Sequence, residues 1–128
     1  MTMTFINLPV RDLTTAAEFY RALGFTSDQA DVDGDTLALT ISDSTRLMLH
    51  LRSGFEEYTG VAATDTQASR EVIIGLSVQS REQVDELVDQ AAVAGGESLG
   101  PGTANGPMYM RGFRDLDGHQ WSFLHLAG

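Results

Sequence analysis

Three histidines, one arginine beside a tyrosine, and a scatter of aromatic rings are the groups in this chain with chemistry to offer. His50 ends the apolar run Leu47-Met48-Leu49-His50. A lone imidazole there is either a pocket base or a satisfied strand residue. His119 follows Gly118 and reads as a turn-stabilising side chain, while His125 has the opposite strand parity to Ser122 and so faces away from it. Tyr109 and Arg111 share one parity. They either bracket a planar or anionic ligand, because a guanidinium binds carboxylates and stacks on rings, or belong to a surface hairpin. No Ser-His-Asp order and no phosphate-cradling loop emerges, and Gly100-x-Gly102 is not followed by a helix as a dinucleotide fingerprint would be. With no cysteine, the chain has no disulfide, thiolate metal site or cysteine nucleophile.

The elements that must position these groups follow from periodicity. Ile6, Leu8 and Val10 alternate along a first strand, Phe5 to Val10, with Phe5, Asn7 and Pro9 on the other face. Asp12 is placed to cap a helix carrying Leu13, Ala16, Ala17, Tyr20 and Leu23, which Gly24 stops. Strands are expected over Phe25 to Asp31, Thr36 to Ile41 and Arg46 to Leu51, with a hairpin turn at Asp33-Gly34. Ser53 to Arg70 has little periodicity. Gly54 to Tyr58 reads as a helical turn, with Glu56 and Glu57 solvated. The stretch is either a surface connector or a lid whose Phe55 and Tyr58 cover a pocket. Then Val72, Ile74, Leu76 and Val78 alternate as a strand. A capping-box spacing from Ser80 to Gln83 opens a helix with the stripe Val84, Leu87, Val88, Ala91 and Ala92, ended by Gly95-Gly96. Ser98 to Pro107 reads as a weak strand or loop. Met108 to Phe113 and Gln120 to Leu126 are joined by the tight turn Asp115-Leu116-Asp117-Gly118.

Bulk composition narrows the function classes. The 128 residues carry 42 % hydrophobic side chains, enough for a buried core, and no apolar run approaches the ~20 residues of a membrane span. No basic region followed by an apolar stretch opens the chain, so a secretory signal is not expected and the cytoplasm is. A net charge of −10, from eight arginines against 18 acidic residues, repels phosphate backbones. Nucleic-acid and membrane partners are therefore not expected; a cationic ligand or simple solubility is.

The chain also repeats itself. Ile6-x-Leu8-x-Val10 matches Ile74-x-Leu76-x-Val78 at an offset of 68, and the helix-ending glycines Gly24 and Gly95 match at 71. Each half reads strand, helix, further strands, with module 1 over about 1–54, a linker over about 55–70 and module 2 over about 71–128. Together with Asp12-Leu13, Glu18-Phe19-Tyr20, Leu23-Gly24-Phe25 and the final Asp115-x-Asp117-Gly118 hairpin, this order resembles the vicinal oxygen chelate superfamily of glyoxalase I, ring-cleaving dioxygenases and bleomycin-resistance proteins. The resemblance implies an α+β fold of two βαβββ modules forming a curled mixed sheet with helices outside, and a homodimer.

In metal-using members of that superfamily, four His, Glu or Gln side chains from the first and last strands of each module hold a divalent metal. Carried over by the resemblance, the first-strand positions fall on Phe5 and, through the repeat, Ile73. The last-strand position of the second module falls on Ser122. Its counterpart in the first is Met48 or His50, according to one small gap. At most one good ligand results, against the three or so such sites need. The expectation is a protein without a metal cofactor that binds a small organic molecule, such as a drug it sequesters, through Phe5, Asn7, His50, Ile73, Tyr109, Arg111 and Ser122. This mixture of apolar walls and a few polar groups suits a ligand pocket. The rival expectation is a divalent-metal lyase, isomerase or dioxygenase with His50 among its ligands.

Overall fold

A computed structural model describes residues 2–27 and 34–127, which divide into two compact units, 1–64 and 65–128. In the first, β1 (Thr4–Val10) and β3 (Thr45–Leu51) pair in parallel, and β2 (Thr36–Ser42) pairs antiparallel to β3, giving the order β1-β3-β2. The helix α1 (Leu13–Ala22) begins where the Asp12 carboxylate accepts the Thr15 N–H at 2.8 Å. That bond satisfies a donor the first turn cannot, and it holds the carboxyl below its usual range. Beyond α1 the chain reverses at Gly24, whose φ of 95° suits a residue without a β-carbon. Leu8 and Val10 of β1, Leu37 and Leu39 of β2, and Leu47 and Leu49 of β3 are buried together with Ala16, Ala17, Phe19 and Tyr20 of α1. Each such leucine contributes about 2 kcal/mol of transfer free energy. The Tyr20 and Phe25 rings stack at 5.6 Å.

Of the strand expected from Phe25 to Asp31, residues from 28 on lie outside the described chain. Thr26 bridges Thr40 as that strand would. Asp33 of the expected turn lies outside it too, and Gly34 has φ of 63°. The stretch read as connector or lid holds a full helix, α2 (Arg52–Thr59), stopped by Gly60 in the left-handed region. Glu56 accepts the Ala63 N–H at 2.7 Å, and Arg52 donates to the Ala63 carbonyl at 2.8 Å. These bonds clasp the segment after α2, and 55–64 lies within the first unit.

The second unit repeats the plan. β4 (Ile73–Ser77) pairs in parallel with β8 (Gln120–Leu126), which pairs antiparallel with β7 (Met108–Arg114). Two short strands, β5 (Glu97–Ser98) and β6 (Thr103–Asn105), flank β7. The helix α3 (Arg81–Val93) packs on β7, β8 and β5. Ser80 Oγ accepts the Gln83 N–H at 3.0 Å, and Gln83 Oε1 reaches back to the Gln79 N–H at 2.9 Å. The helix buries Val84, Val88 and Ala91. Leu87 is half-buried and Ala92 exposed, so the apolar stripe is narrower than the sequence pattern suggested. Against it lie Phe113, Trp121 and Phe123, with Phe113 stacked on both neighbours at 6.3 and 5.5 Å.

The Asp115 carboxylate ties the closing hairpin. Oδ1 accepts the N–H groups of Asp117 and His119 at 3.0 and 2.9 Å, and Oδ2 accepts Trp121 Nε1–H at 3.2 Å. Gly118 closes the turn with φ of 85°, and a β-carbon there would lie only 3.0 Å from the Thr66 carbonyl oxygen. The Asp-x-Asp-Gly pattern is thus a fold-forming device.

Candidate functional site

In the first unit the strand alternation sends Ile6, Leu8 and Val10 toward α1 and leaves Phe5, Asn7 and Pro9 on the opposite face. The registers Phe5↔Arg46, Asn7↔Met48 and Pro9↔His50 extend that face into β3, and Thr36↔His50 and Ala38↔Met48 extend it into β2. Phe5 is more than half exposed there, whereas His50 is 7 % exposed. His50 Nε2 lies 2.8 Å from Asn7 Oδ1, and His50 Nδ1 lies 3.1 Å from Thr36 Oγ1. A neutral ring with its proton on Nε2 satisfies both: Nε2–H donates to the Asn7 amide oxygen and Nδ1 accepts from the Thr36 hydroxyl. Burial pushes the imidazole below its usual range, which favours this neutral form.

The helix α2 closes over this end of the sheet. The Phe55 and Tyr58 rings lie 6.2 and 5.8 Å from His50, centre to centre. Tyr58 is nevertheless 85 % exposed, an aromatic wall rather than a core residue. Between helix and sheet is a cleft of about 350 Å³ lined by Asp35, Thr36, His50, Gly54, Glu57 and Tyr58. The sequence pointed to His50 and placed Tyr58 over a pocket in one of its two readings. It did not select Asp35, Thr36 or Glu57, and treated Glu57 as solvated.

Since the fold depresses the His50 pKa, the imidazole's contribution to stability is complete above the ordinary value of about 6.5 and is lost as the pH falls through it, where the unfolded chain gains a proton that the folded chain refuses. Thermal melts between about pH 7 and pH 5.5 should show a fall in Tm that His50→Gln flattens; parallel slopes would contradict the assignment.

The second unit places the remaining expected residues on two different faces. Ile73 pairs with Gln120 and Gly75 with Ser122, so Ile73 and Ser122 share the face turned away from α3. Ile73 is 60 % exposed and Ser122 buried. Tyr109 and Arg111 lie on the opposite face, against α3. Arg111 Nη1 donates to Asp89 Oδ1 at 2.9 Å, Nε to the Gly100 carbonyl at 2.9 Å, and Nη2 to Ser98 Oγ at 3.2 Å. The Tyr109 hydroxyl donates to Asp85 Oδ1 at 2.8 Å, which raises the phenol's pKa. Arg81 sits over its ring at 5.2 Å. Any β-carbon at Gly102 would collide with the Tyr109 phenol, so the Gly-rich stretch admits this ring. Both side chains therefore bind the protein's own helix and loop.

The register also settles the gap left open in sequence. The offset of 68 maps Asn7 to Gly75; Asn7 pairs with Met48 and Gly75 with Ser122, so Met48 is the counterpart of Ser122. Carried over by the resemblance, the ligand positions of metal-using members would then fall on Phe5 and Met48 in the first unit and on Ile73 and Ser122 in the second. Phenyl and alkyl groups offer no donor, and a thioether and a neutral hydroxyl are poor ones for a divalent metal taking oxygen and nitrogen ligands. Among the described residues no group of three or more His, Asp or Glu side chains could hold a metal ion. The donor set does not fit such a metal.

The sequence matches the profile of the Glyoxalase/Bleomycin resistance protein/Dioxygenase superfamily over residues 2–123. The chain belongs to that superfamily. Solved structures share the fold along nearly the whole chain. A hypothetical protein from S. aureus is 32 % identical, with a TM-score of 0.84 over 98 % of this chain and 94 % of its own. A glyoxalase-related enzyme from Fulvimarina pelagi is 23 % identical at 0.80, over 98 % and 88 %. A superfamily protein from Burkholderia phytofirmans PsJN is 15 % identical at 0.82, over 98 % and 99 %. No curated protein matches. The expected α+β fold of repeated modules holds, as each unit has a mixed sheet with a helix on one face. No described helix is long and apolar enough to cross a membrane.

Proposed function

We propose that this superfamily member binds a small organic molecule in the cleft over His50 without a metal, in the manner of a sequestering protein rather than a metal-dependent lyase or dioxygenase. The observation that carries the reading is the cleft itself. A buried, internally satisfied imidazole forms its floor, and an exposed tyrosine ring is held above it. Pockets of this size with an aromatic wall and a few fixed polar groups suit drug-sized ligands. The metal reading lacks its ligands at Phe5, Met48, Ile73 and Ser122. A cytoplasmic homodimer, without nucleic-acid or membrane partners, completes the proposal; the acidic surface supports the exclusion of nucleic acid.

The test is a thermal-shift screen of aromatic and heteroaromatic compounds in the presence of chelator. A ligand at about a hundred times its Kd adds about 2.7 kcal/mol and should raise Tm by about 10 °C in a chain of this length. Gly54→Leu serves as the control. Gly54 has ordinary helical geometry, and a β-carbon there meets only the Asp35 side chain, at 3.4 Å, so the variant fills the cleft while favouring α2. Shifts that vanish in this variant support the cleft. A flat response across the screen, or shifts that survive Gly54→Leu, would overturn it.

A further inference from the structure

The cleft has an unbalanced charge, and this points to the class of ligand, on the premise that the cleft is the binding site. Four carboxylates of the fold have an arginine partner: Glu56 has Arg52 at 3.6 Å, Asp85 and Asp89 have Arg111 at 3.5 and 2.9 Å, and Glu97 has Arg114 at 3.1 Å. The carboxylates of Asp35 and Glu57, on the rim of the cleft, have no hydrogen-bond or ion-pair partner among the described residues. The nearest arginine in sequence, Arg52, is committed to Glu56 and the Ala63 carbonyl.

Two carboxylates alone would not define a site. Here they rim a cavity whose wall is the exposed Tyr58 ring, and an aromatic face attracts a cation through its quadrupole. The floor adds no opposing charge, because His50 is buried and held neutral between Asn7 and Thr36. No lining residue is basic. We propose that the cleft takes an organic cation, an aryl- or alkylammonium or amidinium compound, with its charged group between the Asp35 and Glu57 carboxylates and its apolar part against Tyr58.

Each exposed carboxylate contributes little by itself, so selectivity comes from two of them acting with the ring. The experiment uses three probes with one ring and different charge: benzamidine, benzamide and benzoate. Each is titrated calorimetrically into the full chain at low salt and neutral pH. Benzamidine should bind about tenfold or more tightly than benzamide, with benzoate weaker still. The Asp35→Asn/Glu57→Gln double variant should erase the difference between benzamidine and benzamide, and Tyr58→Ala should weaken benzamidine severalfold. If benzamide or benzoate binds as well as benzamidine, or the preference survives the double variant, the cation assignment is wrong while the ligand-binding reading stands. If none of the three binds and the compound screen is also flat, both fail.

Discussion

Asp115→Ala should cost the second unit about 4 kcal/mol and lower its Tm by about 15 °C, the largest effect of any polar substitution in the chain. The carboxylate is buried and accepts from three donors, the N–H groups of Asp117 and His119 and the indole N–H of Trp121. Alanine leaves all three without their acceptor, and a buried donor left unpaired costs more than a bond formed in its place returns. Asp115→Asn separates the contributions. Its amide oxygen can still serve the two backbone donors, but its NH₂ then faces the indole N–H, donor against donor, so about half the loss should remain. Denaturant melts followed by the fluorescence of Trp121, the chain's single tryptophan, report the change. An Asp115→Ala protein within 1 kcal/mol of wild type, on the order of an ordinary surface change, would show that the turn does not depend on this carboxylate.

Phe113→Ala should cost a similar amount, about 4 kcal/mol, by a different cause. Its ring is fully buried between Trp121 and Phe123 beneath α3. Removing it leaves a cavity that rigid neighbours of this size cannot collapse into, and two stacking contacts are lost with it. Phe113→Leu, which keeps most of the volume, should cost about a third as much. Tyr109→Phe lies on the same strand and face but removes only a part-buried hydroxyl, and should cost under about 1 kcal/mol. Urea melts of the three variants test the order; equal losses for Phe113→Ala and Tyr109→Phe would contradict the packing described for β7.

The parts of the fold set by local chemistry were legible in the sequence. Asp12 and Ser80 cap their helices as their side chains allow, and strand parity placed Phe5 with Asn7 and Trp121 in the core. The repeat emerged because both units need the same strand-helix-strand packing. Less was legible at the site. For Arg111 the sequence leaves a ligand contact and a hairpin role both open; the hairpin register pairs it with Phe123 and so puts it on the face of Trp121. Asp85 and Asp89, four residues apart on α3, were the signal that this guanidinium would be taken. Asp35, Thr36 and Glu57 were missed for another reason. Thr36, with Asp35 before it, reaches His50 through the β2–β3 register, and Glu57 through α2, a short helix without a strong apolar stripe, clasped at Arg52 and Glu56 to the Ala63 backbone. Local periodicity does not encode such a contact.

The proposed independence of metal is tested most directly by elemental analysis of protein purified without chelator or affinity tag. The account predicts nickel, zinc, manganese and iron each far below one equivalent per chain, because Phe5, Met48, Ile73 and Ser122 stand where ligands would be needed. Near-stoichiometric content of any one of them would contradict it.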